Sequence, residues 1–243
     1  MLYLIGLGLN VDGISVFGLE IAKKCKKVYL ENYTVDFPYS EKQLRDVLHD
    51  KKIVSADREF VESLKIVDEA KKQDIALLVY GSPLTATTHI SLIQEARESG
   101  TKYKIIYNSS IFDAISETGL QLYKFGKITS MPAWKKSFEP DSFMEIVKQN
   151  LSIEAHSLIL IDIGLEFNKA LNQLKIAAKK HEIQLGKIAV CQALGTKNRK
   201  IMYRTIEEAL EYSGVLKPYC IIIPGKLHFL EKEILEGFSK RKD

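Results

Sequence analysis

Residues 75–89 read IALLVYGSPLTATTH, an apolar run that ends in glycine, serine and proline and then continues in hydroxyl-bearing residues up to a histidine. An apolar segment of this length between turn residues reads as a strand buried on both faces. Gly81 and Pro83 stop it, because one admits unusual backbone angles and the other has no N–H for a ladder. An ordinary surface loop would be charged. The small polar residues of 81–89 instead mark a turn shaped to meet a ligand.

Working outward, the first half repeats this unit. LYLIGLG (2–8), KVYLE (27–31), KIV (52–54) and YKIIY (103–107) read as further strands. Residues 15–25, 41–48, 59–72 and 88–99 carry helical periodicity between them, and Phe60, Leu64 and Val67 share one face of the third segment. Ser99-Gly100 is a helix stop. Alternation of strand and helix predicts parallel strands with helices packed on the sheet. After Lys127 the texture changes, and ITSMPAWKKSFEPDSF, with two prolines and the only tryptophan, reads as a connection. Beyond it we expect a helix near 141–150, a strand at 156–163 and a helix at 166–180 striped by Phe167, Ala170, Leu171, Leu174, Ala177 and Ala178. A strand at 187–194, a polar turn GTKNRK, a returning strand IMYR, a helix at 205–213, a strand at 219–225 and a last helix from about 228 complete the chain. The fold class is thus α/β, with an N-terminal domain over 1–128, a C-terminal domain over 129–243, and a ligand cleft between them.

Composition narrows the function classes. Of 243 residues 46% are hydrophobic and 27% charged, enough apolar surface to build a core. No run reaches the roughly 18–20 apolar residues of a bilayer span, and MLYLIGLGLN lacks the basic start and cleavage site of a signal peptide. Cys25, Cys191 and Cys220 are too scattered for a disulfide framework or a metal site, and two of them sit in apolar stretches and read as core thiols of a reducing compartment. The net charge of +4, with lysines along helix faces and in the tail KRKD, is too mild to argue for nucleic-acid binding.

The polar turns all follow strands: GLGLN, GSPLTATTH, NSSI, DIG and IPGKLH. In open α/β sheets ligands bind beyond the carboxyl ends of strands, where backbone N–H groups and helix N-termini converge. Gly6 and Gly8 make GxG, but the third position of a dinucleotide fingerprint is Val11, and no GxxxxGK[ST] occurs. GxSxG is absent, and Pro83 after Ser82 has no oxyanion N–H, which disfavours a hydrolase. His49, His89, His156, His181 and His228 are too far apart for metal-motif spacing; His89 and His228 alone stand in turns of interest. Glu31, Asp113 and Asp162 are the acids near strand ends, and nothing in the sequence brings them together.

MLYLIGLGL, ISVFGLEIAKKCKKVYLENYT, GSPLTATTH, NSSIFDAISETGLQLYKFGK, LILIDI and IIIPGKLH, in this order and spacing, resemble the diphthine synthase family of tetrapyrrole methylase-like methyltransferases, over essentially the whole chain. The pairing of G-x-P-x-x-A-T-T-H with a C-terminal PGKLH carries the resemblance. It implies a two-domain α/β fold, an archaeal, cytoplasmic homodimer within a family of archaea and eukaryotes, and S-adenosylmethionine as cofactor, released as S-adenosylhomocysteine. The implied reaction is methylation of the amino group on a modified histidine of translation elongation factor two, during diphthamide synthesis. The family's cofactor contacts fall on Leu9, Ser82, Thr85, Ser110 and Ile111, and on Ile161, Tyr203 and His228 of the second domain; no metal is implied.

One departure stands out. The family pattern GDP is GSP here, so Ser82 replaces an expected acid, and a carboxylate would hold the cofactor's positive end more strongly than a hydroxyl. Glu31 or His228 is the candidate base for the incoming amine. Thr87 or Thr88 is expected to cap the following helix. Competing readings are methylation of a small molecule such as a tetrapyrrole, which asks for an enclosed apolar pocket where a protein substrate asks for an open basic rim, a cofactor-binding module without turnover, and, more distantly, a dinucleotide oxidoreductase.

Overall fold

The computed structural model describes residues 1–49 and 51–239; the basic tail 240–243 lies outside them. Contacts divide the chain into two units, Met1–Ala114 and Ile115–Asp243.

The first unit runs β1 (Leu2–Gly6), α1 (Val16–Lys24), β2 (Lys27–Glu31), α2 (Glu41–Val47), β3 (Ile53–Ala56), α3 (Arg58–Glu62), α4 (Lys65–Lys72), β4 (Ile75–Val79), α5 (Ile90–Glu98), β5 (Tyr103–Ile106) and the single turn α6 (Ile111–Ala114). The strands form one sheet in the order β3-β2-β4-β1-β5, all parallel. Leu2, Leu4 and Ile5 of β1 and all five residues of β4 are buried, as central strands covered on both faces must be. α1 and α2 cover one face, packing Ala22 and Leu44 on Ile5, Val28 and Leu78. α3, α4 and α5 cover the other, packing Val61, Ile66 and Leu92 on Leu4, Ile75 and Leu77.

Local chemistry sets the ends. Ser15 caps α1 by accepting from the Gly18 amide, Ser40 and Gln43 cap α2 reciprocally, and Asp57 accepts from the Phe60 amide. The helix expected over 59–72 is two helices. The Ser63 hydroxyl donates to the Phe60 carbonyl at 2.7 Å, and Leu64 takes a left-handed φ of 61°. That side-chain bond to the backbone competes with the helical ladder at the break, and α4 restarts at Lys65. Gly100, at φ 68°, closes α5 as read from sequence.

The second unit opens with 3₁₀ turns at Ile115–Thr118 and Leu122–Lys124, followed by β6 (Thr129–Met131), α7 (Ser142–Ser152), β7 (Ser157–Ile161), α8 (Phe167–Lys180), β8 (Ile188–Gln192), β9 (Lys200–Arg204), α9 (Ile206–Leu210), β10 (Tyr219–Ile223) and α10 (Phe229–Gly237). Its sheet, β6-β7-β10-β8-β9, is parallel only between β6 and β7. The predicted stripe of α8 is buried and packs with Phe143, Val147 and Ile221.

Two expectations are corrected. The boundary falls at 114/115 rather than 128/129, because residues 115–128 pack within the second unit: the space a Gly119 side chain would need is filled by Ile234, and Gln121 and Lys124 bond to Glu231. The supposed connection contains β6, which is short and ends at Pro132, so it showed no strand pattern. No helix among the described residues is long and apolar enough to cross a membrane.

Candidate functional site

In the first unit β1 leads to α1 on one face of the sheet, and its neighbour β4 leads to α5 on the other. Connections that diverge from adjacent strands leave a crevice at their carboxyl ends, the switch point where ligands of open α/β sheets bind. GLGLN and GSPLTATTH are the two turns that flank it. They are tied backbone to backbone: the Gly8 amide donates to the Gly81 carbonyl at 3.1 Å, and the Gly81 amide to the Gly8 carbonyl at 2.9 Å. Both glycines have φ 70°, and a Cβ on Gly6 would lie 2.6 Å from the Gly81 carbonyl oxygen. The glycines thus serve backbone contact between two turns, which accounts for a GxG that lacks the rest of a dinucleotide fingerprint.

Leu9 is buried, and its carbonyl accepts from the Tyr80 hydroxyl at 3.1 Å. Ser82 is buried and Thr85 half-buried, the Thr85 amide donating to the Ser82 carbonyl at 3.1 Å. The rest of the turn hangs on one atom. The Pro83 carbonyl accepts from the Thr87 hydroxyl at 2.8 Å and from Nδ1 of His89 at 3.0 Å, while Nε2 of His89 faces the Tyr33 hydroxyl at 3.4 Å. The expected capping by Thr87 or Thr88 is therefore corrected. Thr87 bonds backwards into the turn, Thr88 supplies a carbonyl to Ser91, and His89 occupies the cap position of α5 without a side-chain cap bond.

After β5, the Ser110 hydroxyl donates to Asp113 Oδ2 at 3.1 Å, and the Ser110 amide donates to the same oxygen at 2.6 Å. Its side chain is committed, so Ser110 and the half-buried Ile111 offer a ligand mainly backbone. Leu9, Ser82, Thr85, Ser110 and Ile111 all lie on turns that leave the three adjacent strands β1, β4 and β5. This edge offers a ligand backbone groups for polar contacts, with Leu9 and Ile111 as apolar side chains beside them.

In the second unit the expected residues do not converge. Ile161 ends β7, one residue beyond the Leu160–Cys220 pair. Tyr203 pairs with Ala189 towards the opposite end, where β10 also finishes. Three rows separate Ile161 from Tyr203, about 10 Å along the strands. Only an elongated ligand could reach both. Tyr203 is buried with its amide on the Phe238 carbonyl at 3.3 Å, and burial, then the nearby Glu236 charge, pushes its phenol up.

His228 follows β10 and is exposed, at the start of α10. The PGKLH turn beneath it is held by a buried network. Glu231, fully buried, accepts from the Gln121 amide at 3.0 Å, the His228 amide at 2.7 Å, Nε2 of His156 at 3.2 Å, and the Lys124 ammonium. Nδ1 of His156 accepts from the Gly225 amide at 2.9 Å. A Cβ on Gly225 would lie 2.4 Å from the Glu154 carbonyl, so only glycine fits. Burial raises the Glu231 pKa, but Lys124, the two amides and His156 outweigh it and hold the carboxyl at about 2. Burial also pushes the His156 imidazole down, so it stays neutral at pH 7. A cavity of about 550 Å³ opens beside this turn, lined among others by Tyr123, Lys124, Ile153, Lys226 and His228.

The acids read from sequence are local. Glu31 is fully buried and spends its oxygens on the Tyr33 amide at 2.9 Å and the Thr34 hydroxyl at 2.8 Å. Asp113 caps Ser110, and Asp162 accepts from the Ala133 amide at 3.0 Å. Asn108, Tyr80, His156 and Glu231 escaped the sequence reading. Only Glu231 had a legible signal, standing three residues after His228 as the second half of a capping box.

The family model for Tetrapyrrole (Corrin/Porphyrin) Methylases matches residues 1–210. A diphthine synthase of the archaeon Methanococcus maripaludis is 37% identical, with 97% of this chain and 98% of the relative covered. A diphthine methyl ester synthase of the yeast Schizosaccharomyces pombe is 33% identical, covering 98% and 94%. A crystal structure of diphthine synthase superposes with a TM-score of 0.88 at 29% identity, covering 98% of this chain and 95% of that one. Relatives from both an archaeon and a yeast leave no ground for the archaeal source alone. The chain belongs to the diphthine synthases within the tetrapyrrole methylase family, and it is an S-adenosylmethionine-dependent methyltransferase.

Proposed function

We propose that this chain methylates the modified histidine of translation elongation factor two during diphthamide synthesis, at the amino group, as a cytoplasmic homodimer. The observation that carries the reading is the near full-length likeness to diphthine synthases, with both signature turns present and built as described. We assign cofactor contact to Leu9, Ser82, Thr85, Ser110, Ile111, Ile161, Tyr203 and His228.

S-adenosylmethionine supplies a methyl group on a sulfonium, a leaving group already activated for in-line displacement. The chain's task is to orient and to exclude water, which needs positioning rather than a nucleophile. The turns after β1, β4 and β5 provide it, cross-tied at Gly8–Gly81. Glu31 is not a base, since its oxygens build the turn after β2. Nδ1 of His228 accepts from the Leu230 amide at 3.4 Å, so this acceptor nitrogen is turned to the helix backbone rather than left free for a substrate proton. We therefore give His228 a binding role.

The open cavity beside His228, with Lys124 and Lys226 on its wall, favours a protein substrate over an enclosed macrocycle. The test is incubation with labelled S-adenosylmethionine and elongation factor two bearing the unmethylated intermediate. Label in the factor, absent when its histidine is unmodified, supports the proposal, and the mass gained counts the methyl groups. Cofactor binding without label would favour a module without turnover. Label in a tetrapyrrole and none in the factor would reverse the substrate assignment.

A further inference from the structure

The side-chain amide of Asn108, two residues past the end of β5, is used almost to capacity. Nδ2 donates to the Gly6 carbonyl at 3.0 Å and to the Gly13 carbonyl at 2.9 Å, and Oδ1 accepts from the Ser109 amide at 2.8 Å. Gly6 and Gly13 bracket the loop that carries Leu9, and Ser109 opens the segment that carries Ser110 and Ile111. One half-buried side chain thus joins both ends of the first turn to the third.

The glycines of the first turn make room for it. A Cβ on Gly6 would lie 2.9 Å from Asn108 Cβ, and one on Gly8 3.1 Å from Asn108 Oδ1. No other neutral side chain of this size offers two amide hydrogens and a carbonyl in this fork; an aspartate would set a carboxylate against two carbonyl oxygens. The Gly6 and Gly13 carbonyls are 7 residues apart in sequence; the Gly8–Gly81 bonds tie the middle of the loop to the second turn, and the Asn108 bridge is what ties its two ends to the third.

We propose that Asn108 is a positioning residue for cofactor binding: it fixes the gap between Leu9 on one side and Ser110 and Ile111 on the other, and touches neither cofactor nor substrate itself. The inference rests on the cofactor assignment above. It predicts a defect in affinity rather than in turnover, because the chemistry asks only that the bound cofactor be aligned.

The test is calorimetric titration of S-adenosylhomocysteine into the wild-type protein, Asn108→Ala, Asn108→Asp and, as control, Asn32→Ala. The control removes one exposed bond of another asparagine amide, Asn32 to Ser55 at 2.7 Å, near the carboxyl ends of β2 and β3. Both Asn108 variants should weaken binding about tenfold or more, as expected for losing two or more hydrogen bonds that shape a site, with Asn32→Ala within about twofold of wild type. The cofactor KM should rise in parallel while kcat at saturating cofactor stays within about threefold. A merely structural role would lower the melting temperature and leave the affinity unchanged. Should Asn108→Ala fail to fold, the near-isosteric Asn108→Asp carries the same prediction. Wild-type affinity in a folded Asn108 variant overturns the inference and leaves the cofactor assignment standing. A wild-type protein that binds no S-adenosylhomocysteine overturns both.

Discussion

The turns GSPLTATTH and PGKLH both end on a histidine that opens a helix, yet the two histidines have opposite duties. His89 is 1% exposed and spends its ring on the Pro83 carbonyl and the Tyr33 hydroxyl. His228 is exposed, because Glu231, Lys124 and His156 already hold its turn. A motif residue is free to meet a ligand only where something else carries the scaffold. In one turn the histidine is the scaffold, and in the other a buried carboxylate stands in for it.

The largest expected effect is on that carboxylate. Glu231→Ala strands Lys124, His156 and two amides, and should destabilise the protein by about 3–5 kcal/mol in urea unfolding. A loss under 1 kcal/mol would break the contrast, since PGKLH would then not depend on the network. Acid should act in the same direction. Glu231 is depressed from its ordinary 4.5 to about 2, so its contribution is complete above about 4.5 and lost as pH falls towards 2. His156 is depressed from 6.5 by burial, so protonation of the unfolded chain erodes stability from about pH 6.5 downwards. Stability should fall throughout this range, and Glu231→Gln should flatten its lower part.

Next in size is the pair of histidines. His89→Ala should lose about 1–3 kcal/mol of stability for bonds broken in a buried site. His228→Ala should cost less, about 0.5 kcal/mol for the long cap bond to the Leu230 amide, and mainly weaken S-adenosylhomocysteine binding. Paired denaturation and calorimetry read both, and equal stability losses would erase the distinction. Ser82→Asp should tighten cofactor binding by about 0.5–2 kcal/mol, the gap between charge-assisted and neutral hydrogen bonds. Dissociation constants that agree within error would remove any consequence of the serine. The smallest effect is at Tyr39, whose hydroxyl is buried without a partner beside Phe37 and Tyr80. Tyr39→Phe should be neutral or stabilising by up to about 1 kcal/mol in the same unfolding assay.

The elements of the first unit were legible because its strands are continuous apolar runs and its turns carry glycine, proline and cap residues. The break at Leu64 was not, since Phe60, Leu64 and Val67 suit one helix face and a single Ser63 hydroxyl decides otherwise. In the second unit the strand positions other than β6 were readable, but their directions were not. β10 runs against both β7 and β8, a choice made by the path of the chain rather than by any residue pattern. At the site, the turns announced themselves by composition. Asn108 did not, because its partners Gly6 and Gly13 lie far away in sequence, and of Glu231 only the local capping box with His228 was legible, not its bonds to Gln121, Lys124 and His156.

The most direct test of the account is a crystal structure with S-adenosylhomocysteine. We expect the ligand against Leu9, Ser82, Thr85, Ser110 and Ile111 and reaching Ile161, Tyr203 and His228, with His89 still bonded to the Pro83 carbonyl. A ligand bound away from the turns after β1, β4 and β5, or held by His89 with His228 untouched, would contradict it.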